Sequence, residues 1–433
     1  MTGRSAPSAL ASFLLALLVF GSTAGCSDET SAAGGEAEAV LVQRSADPRL
    51  VQAREALAAG RPSSAETLLE KLGAQAGVEG PLALARAHLA RGDVIEALRH
   101  VERARALDPE DPRVFATSAE VLALAGEGPD AVDELNRGLA LAPGCPDLLR
   151  AQAILDLTRP GRGPIALQTL QKALELDPTV PYTDWPLAQA YLLSGRSALG
   201  SGDRAQAIVA ARAALGLVPD LAAAEELQGQ ALAAAKDWEG AIAAYKRAQD
   251  LGLDQLPLLL EAHRGAAMTA RLASNHDNAE EHYLALRDLA LSPEDLGASG
   301  EAYLADRARV AFEEGQKAKL SGDHKAAAGH FAASVRLAPD GPLSVDALDG
   351  QAGARFRLAD YSGAASLWTD VQSRELAGEA PEVSRTHLNL ARAYVLGGRP
   401  ERAHEVLDAY LERWPDGPAA AETSKLRAAV PPK

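Results

Sequence analysis

One phrase recurs along this chain at a nearly constant interval. It is clearest where Leu84-Ala85-Arg86-Ala87-His88 runs through Ala97, Val101 and Ala104 to Leu107-Asp108-Pro109. Its small residue returns at Ala131, Ala166, Ala207 and Ala241, at intervals of 34, 35, 41 and 34 by subtraction of the residue numbers. The closing proline returns at Pro143, Pro178 and Pro219. Such an interval holds two helices and their turns, and a helical pair of that size cannot bury its apolar face alone. The units must therefore stack on one another.

Each position in the phrase has a physical reason. Ala85, Ala97 and Ala104 are small because two helices crossing at close range leave no room for more, and Leu84, Leu98 and Val101 fill the remaining space. Gly92-Asp93 supplies the turn, with glycine accepting a left-handed conformation and aspartate capping the next helix. Pro109 ends one unit and opens the next, since proline suits the first turn of a helix and not its interior. The same grammar runs from Ala231 through Asp237-Trp238-Glu239-Gly240-Ala241 to Tyr245 and Ala248. It returns at Leu390-Ala391-Arg392-Ala393-Tyr394, Gly397-Gly398, Ala403, Leu407, Tyr410 and Pro415.

With the small positions matched at Ala85, Ala97 and Ala104 and again at Ala391 and Ala403, the chain resembles the tetratricopeptide repeat family from about Ala53 to Pro415. The resemblance implies an all-α superhelical solenoid of helical hairpins. Weaker units near Gly60 to Leu72, Ala279 and Tyr283, Ala327 and Phe331, and Ala364 and Trp368 bring the count to about nine or ten. The family's usual tryptophan near the start of the first helix is absent from most units. Aromatics are 4% of the chain, so leucine and alanine carry the packing. Alternating β-branched runs are not seen, while alanine, leucine, arginine and glutamate dominate.

Two intervals are stretched, Ala166 to Ala207 and Ala279 to Ala327, the second by subtraction 48 residues. The excess falls around Tyr182 to Ser201 and Ser292 to Ser321, where the first helix of a unit can run longer. Ser292-Pro293-Glu294-Asp295 reads as a stop followed by a new start, a candidate bend between two sub-arrays. The expected organisation is a signal peptide over 1–25, a flexible tether over 26–47, sub-arrays over 48–291 and 292–417, and a C-terminal capping helix and tail over 418–433.

The start of the chain bears on where it works. Arg4 precedes an apolar run from Leu10 to Phe20, too short to span a membrane and suited to a secretory signal. It ends in Thr23-Ala24-Gly25-Cys26, which looks like a bacterial lipobox and marks Cys26 for lipidation. Thr23 departs from the usual leucine, so ordinary cleavage near Ala24 stays open. Ser27 after the cysteine leans, on that resemblance, toward the outer membrane facing the periplasm. Gly34-Gly35-Glu36-Ala37-Glu38 reads as tether. With Cys26 lipidated, Cys145 has no partner in the chain. It stands in an inter-repeat turn, as an inert loop thiol or, alternatively, one that pairs with another molecule.

A net charge of −16 disfavours nucleic acid and anionic lipid as partners, because phosphate binding needs concentrated positive charge. Membrane contact is then expected only through the anchor. The resemblance places the first helix of each unit on the concave face. There the first half presents a mixture, Arg86, Glu120, Glu226 and Gln230, whereas the second presents Arg264, Arg271, Gln316, Lys319, Arg357, Arg385, Asn389 and Arg392. Such a stripe can clamp an acidic or C-terminal carboxylate segment. It matches only in part the two-carboxylate clamp of lysine, asparagine and arginine known in the family. Alternatively these are solvated helix residues paired with acids such as Glu261, Glu313 and Glu382.

Catalytic signatures are missing: there is no His-Glu-x-x-His, glycine-rich phosphate loop, Cys-x-x-Cys or Gly-x-Ser-x-Gly. His276 and His282 are the nearest approach to a metal group and lack a third ligand at suitable spacing. Trp185, Trp238, Trp368 and Trp414 fall at helix starts or core positions. No enzyme, cofactor or metal is expected. The leading expectation is a lipid-anchored scaffold holding an extended segment of one or more envelope proteins. The resemblance suggests service to a pilus, secretin or polysaccharide-export machine. The alternatives are an adaptor acting through its convex face or self-association, and an enzyme or enzyme accessory without a recognisable motif.

Overall fold

A computed structural model describes residues 44–58, 61–72, 76–289, 297–376 and 385–431. Among these residues there is no strand, and the helices pair into ten antiparallel hairpins followed by one last helix. The chain divides into two compact units, one up to Ala262 and one from His263. The first contains α1 (Pro48–Ala58), α2 (Pro62–Leu72), α3 (Glu79–Ala90), α4 (Val94–Leu107), α5 (Pro112–Leu124), α6 (Gly128–Leu141), α7 (Pro146–Leu157), α8 (Gly163–Leu176), α9 (Asp184–Gly200), α10 (Arg204–Leu217), α11 (Ala222–Ala234) and α12 (Trp238–Asp250). The division falls within α13 (Leu256–Leu272). Then follow α14 (His276–Leu289), α15 (Ala298–Leu320), α16 (His324–Leu337), α17 (Ser344–Arg357), α18 (Tyr361–Leu376), α19 (Thr386–Leu396), α20 (Pro400–Arg413) and α21 (Ala420–Ala429). The expected bend at Ser292–Asp295, like the signal peptide and Cys26, lies outside the described residues.

The small positions of the phrase are where the helices meet. Ala85, Ala97, Ala104, Ala131, Ala166, Ala207, Ala241, Ala391 and Ala403 are each 0% exposed. Val101 is likewise buried, and Leu82 joins it in the same core, with Leu98 packed at its edge. Both stretched intervals are long first helices, α9 with 17 residues and α15 with 23. Pro109 proves to stand in the inter-repeat turn, and it is Pro112 that opens α5.

The turn inside nine of the hairpins repeats one conformation. The residue just before the second helix's cap is left-handed in nine hairpins, and in six it is glycine, as at Gly92 with φ 80° and Gly202 with φ 87°. The aspartates that follow, Asp93 and Asp203, accept from the backbone N–H of Glu96 and Gln206. Three hairpins put a side chain in that strained place: Lys236 at φ 64°, Ser274 at φ 58° and Ala359 at φ 62°. A left-handed Cβ costs roughly 1–2 kcal/mol, while glycine's greater freedom in the unfolded chain recovers only part of that. Ala359→Gly is therefore expected to stabilise the second unit by about 0.5–1 kcal/mol, read as a higher urea midpoint at unchanged slope.

Cys145 stands in an inter-repeat turn, as the sequence indicates, but it does not face solvent. It stands at the start of α7 but is 0% exposed, inside a core of Phe115, Ala142 and Leu148. Burial pushes its thiol up, so it packs as a small, inert core residue rather than one placed to pair with another molecule.

Candidate functional site

In the first unit, the first helices of successive hairpins carry opposite charges at equivalent positions. Glu79 on α3, Arg113 on α5 and Asp147 on α7 are 34 residues apart, as are Arg86 and Glu120. Stacking places these side chains one repeat apart in space, and they close into a continuous floor. Arg113 Nη1 donates to Glu79 Oε1 at 2.8 Å, and Arg54 Nη1 reaches Glu79 Oε2 at 3.1 Å. Arg86 Nε donates to Glu120 Oε2 at 3.2 Å.

At the centre of that floor lies Arg150, a fully buried arginine. Its Nη2 and Nε donate to Glu120 Oε1 at 2.6 and 2.9 Å, and its Nη1 to Asp147 Oδ1 at 3.2 Å and to the Pro181 carbonyl at 2.6 Å. Burial alone would lower its pKa. The carboxylates of Glu120 and Asp147 outweigh that and hold its pKa above the ordinary value. Asp147 is pushed up by burial and pulled down more strongly by Arg150 and Arg44, so its carboxyl ends below its usual 3.8. Tyr182, left-handed at φ 63°, lays its ring under Arg86 and Arg150, whose guanidinium carbons lie 4.8 and 5.9 Å from the ring centre.

Above this floor opens a pocket of about 160 Å³, walled chiefly by apolar side chains. The sequence reading placed Arg86 and Glu120 on this face but missed Arg150, Tyr182 and the pocket. The alternation of Glu79, Arg113 and Asp147 at the repeat interval was the available signal. Of the expected tether, residues up to Gln43 lie outside the described residues, and residues 44–47 do not hang free. Arg44 Nη2 sits 2.9 Å from Asp147 and 3.0 Å from Asp177, and the Ser45 N–H donates to Glu79 at 2.8 Å. The buried Asp147 and the half-buried Asp177 share that arginine, which holds this segment on the groove.

In the second unit, four of the eight stripe residues line one cleft. Lys319 from α15, Arg357 from α17, and Asn389 and Arg392 from α19 surround about 500 Å³, together with His324, Asp349 and Trp368. Trp368 is 3% exposed and donates its indole N–H to Asp349 Oδ1 at 2.8 Å, which fixes both groups. Lys319 and Arg357 are exposed and form no ion pair among the described residues. Arg392 leans to Glu422 at 3.4 Å, and Arg385 reaches the same carboxylate at 3.7 Å.

The remaining stripe residues stand apart from that cleft's lining. Gln316 is half-buried on α15, one turn before Lys319. Arg264 and Arg271 lie on α13, exposed, with Arg271 placed 5.9 Å over the Tyr303 ring. Of the acids expected as partners, Glu313 pairs with Arg309 instead, and Glu382 lies outside the described residues. His282 and His276 take separate partners: Nδ1 of His282 is 3.1 Å from Nδ1 of His263, and Nδ1 of His276 is 3.0 Å from the Tyr303 hydroxyl. Among the described residues no three His, Cys, Asp or Glu side chains are grouped to hold a metal ion, and no helix is long and apolar enough to cross a membrane.

Models of the tetratricopeptide repeat match residues 88–155, 192–255 and 350–418. No curated protein sequence matches the chain. Among solved structures, it is similar to pilF of Pseudomonas aeruginosa, with 19% identity over 52% of this chain and 96% of that one and a TM-score of 0.37. Yeast Tom70 shares 12% identity over 88% of this chain and 94% of its own, with a TM-score of 0.25. The TPR domain of P58(IPK) shares 18% identity over 82% of this chain and 98% of its own, with a TM-score of 0.24. Helical hairpins along both units, fully buried alanines at the repeated small positions and three stretches matching the repeat models converge on one conclusion: the chain belongs to the tetratricopeptide repeat family.

Proposed function

We propose that this protein is a scaffold of the bacterial envelope that holds an acidic, extended segment of an envelope protein in the cleft of its second unit. The family is generally one of protein-interaction scaffolds, and the finer reading rests on one observation. The cleft gathers Lys319, Arg357, Asn389 and Arg392 in a chain whose net charge is −16. Lys319 and Arg357, exposed and without an ion pair among the described residues, favour an acidic ligand in an acidic protein, and the buried Trp368 offers an apolar floor beside them. The lipobox-like run ending at Cys26 supports attachment to the membrane by lipid, with the repeats in the periplasm and the outer membrane preferred.

Cross-linking in native membranes through the amine of Lys319, followed by mass spectrometry, tests the reading. A single envelope partner joined at the cleft is the expected result. Links found only on the convex face, or only between copies of this chain, would favour an adaptor. Reversing two charges with Lys319→Glu and Arg357→Glu is expected to weaken a glutamate-rich peptide about tenfold, mainly through slower association and less so at high salt. Unchanged affinity by calorimetry would remove the cleft from the function. Cys26→Ala is expected to release the protein from the membrane fraction, and retention there would argue against a lipid anchor.

A further inference from the structure

Exposed leucines recur at one place in the hairpins of the second unit. Leu272, Leu320 and Leu396 each stand two residues before the left-handed turn residue, and Leu358 stands one before it, at 83%, 87%, 55% and 49% exposure respectively. The place two before that residue in the first unit's hairpins holds Ala90, Leu124, Arg159, Gly200 or Ala234. Of these only Leu124 is large and apolar, and it is buried. Single exposed leucines are ordinary on a protein surface. Four at equivalent turns, which stacking brings to one edge of the unit, are a repeated feature of that edge.

Cations accompany them. Lys319, Lys325, Arg357 and Arg399 at the same turns are exposed and form no ion pair among the described residues. The nearby aspartates are engaged: Asp323 accepts from the Ala326 N–H, and Asp360 accepts from the Gly363 N–H and pairs with Arg355 at 3.2 Å. Between the last two leucine turns, Tyr361, Ser362, Ser366, Thr369, Tyr394 and Arg399 line a pocket of about 370 Å³ with no carboxylate in its wall among the described residues. Hydroxyls donate to and accept from a polyol, and a guanidinium takes a phosphate. Leucines beside them suit the acyl boundary under a headgroup. A partner helix would need a continuous apolar groove, whereas these leucines are set apart, one to a hairpin, and a fluid bilayer accepts each separately. The net charge of −16 does not forbid this, because charges more than about 8 Å away are screened at physiological salt and the local cations decide.

We propose that this edge docks on an anionic phospholipid bilayer, the four leucines entering its interface while Arg399 and the hydroxyl-lined pocket take a phosphoglycerol headgroup. This goes beyond the acidic-segment reading of the second unit's cleft. Lys319 and Arg357 serve both, so the test is read at the leucines and at Arg399, which do not line the cleft.

Photo-cross-linking from single sites of the full chain tests the edge. A para-benzoylphenylalanine replaces Leu320, Leu396 or, as a control at the opposite end of a first-unit hairpin, the 61% exposed Leu107. Each protein is irradiated with vesicles of equimolar phosphatidylglycerol and phosphatidylcholine. Lipid adducts, counted by mass spectrometry, are expected at Leu320 and Leu396 at least about fivefold above Leu107. They should fall at least about threefold on phosphatidylcholine alone. Position is the readout, so attachment through the N-terminal segment alone would not favour the edge sites. Arg399→Gln should lower the Leu396 adduct about three- to tenfold in protein whose circular dichroism melt matches the parent. Should that variant melt early, the change of lipid decides. Adducts no more frequent at the edge than at Leu107, equal yields on both vesicles, an unchanged yield in folded Arg399→Gln, or adducts only with a second copy of this chain overturn the proposal.

Discussion

Arg150→Ala is expected to cost the first unit about 3–5 kcal/mol, because it removes the cation shared by the buried carboxylates of Glu120 and Asp147 and leaves a cavity where a whole side chain was enclosed. Glu120 and Asp147 keep Arg86 and Arg44 as second partners. Arg150→Met, which preserves most of the packing, should therefore fall at the low end of that range. Urea unfolding followed by circular dichroism measures both, and a loss below about 1 kcal/mol for the alanine variant would mean that the ion pairs contribute little beyond their own desolvation.

The same variant has a pH signature whose sign follows from Asp147. Its folded carboxyl titrates below the unfolded 3.8, so its contribution is fully present above about pH 3.8 and is lost as the pH falls through the folded value. Without Arg150 the carboxyl loses its strongest cation and that depression shrinks. The stability gap between parent and Arg150→Ala should accordingly narrow on acidification below about pH 4. A gap independent of pH would locate the cost in packing alone.

Phe331→Ala should cost the second unit about 3–5 kcal/mol by leaving a ring-sized hole at 0% exposure. The site cannot collapse easily, since the ring is held between two glycines on neighbouring helices. A Cβ built on Gly315 of α15 or on Gly350 of α17 would lie 2.8 Å from ring carbons of Phe331, and Phe312 packs with its centroid 5.6 Å away. Gly315→Ala alone should cost about 1–3 kcal/mol by overpacking. Combined with Phe331→Leu it should cost less than the two single changes summed. Strict additivity in a double-mutant cycle would show that glycine and ring do not form one packing unit.

How much of this was legible beforehand differs from element to element. Ala97, Ala131 and Ala241 marked the close crossings of their repeats because backbone approach forbids anything larger, and that constraint is written locally. Gly92 and Asp93 announced a turn for the same kind of reason. Lys236, Ser274 and Ala359 did not, because the surrounding hairpin imposes a left-handed conformation that their own preferences oppose. The stripe from Lys319 to Arg392 was expected from register alone, yet register did not show which members share a cleft. Long helices and local pairing decide that, and Arg264 and Arg271 fall outside the cleft.

Arg150 is the sharpest case. As a lone letter it resembles any arginine on an amphipathic helix, and such residues are usually solvated. Only stacking brings Glu120 from the preceding repeat and the Pro181 carbonyl from the following turn around it, turning a surface residue into the most enclosed charge in the unit. Sequence by itself determined the helical hairpins, their number and the direction of their apolar faces, because period, small residues and caps act within one or two repeats. Tertiary structure alone decided which charges cancel and which stay open, because that depends on distances between residues from different repeats.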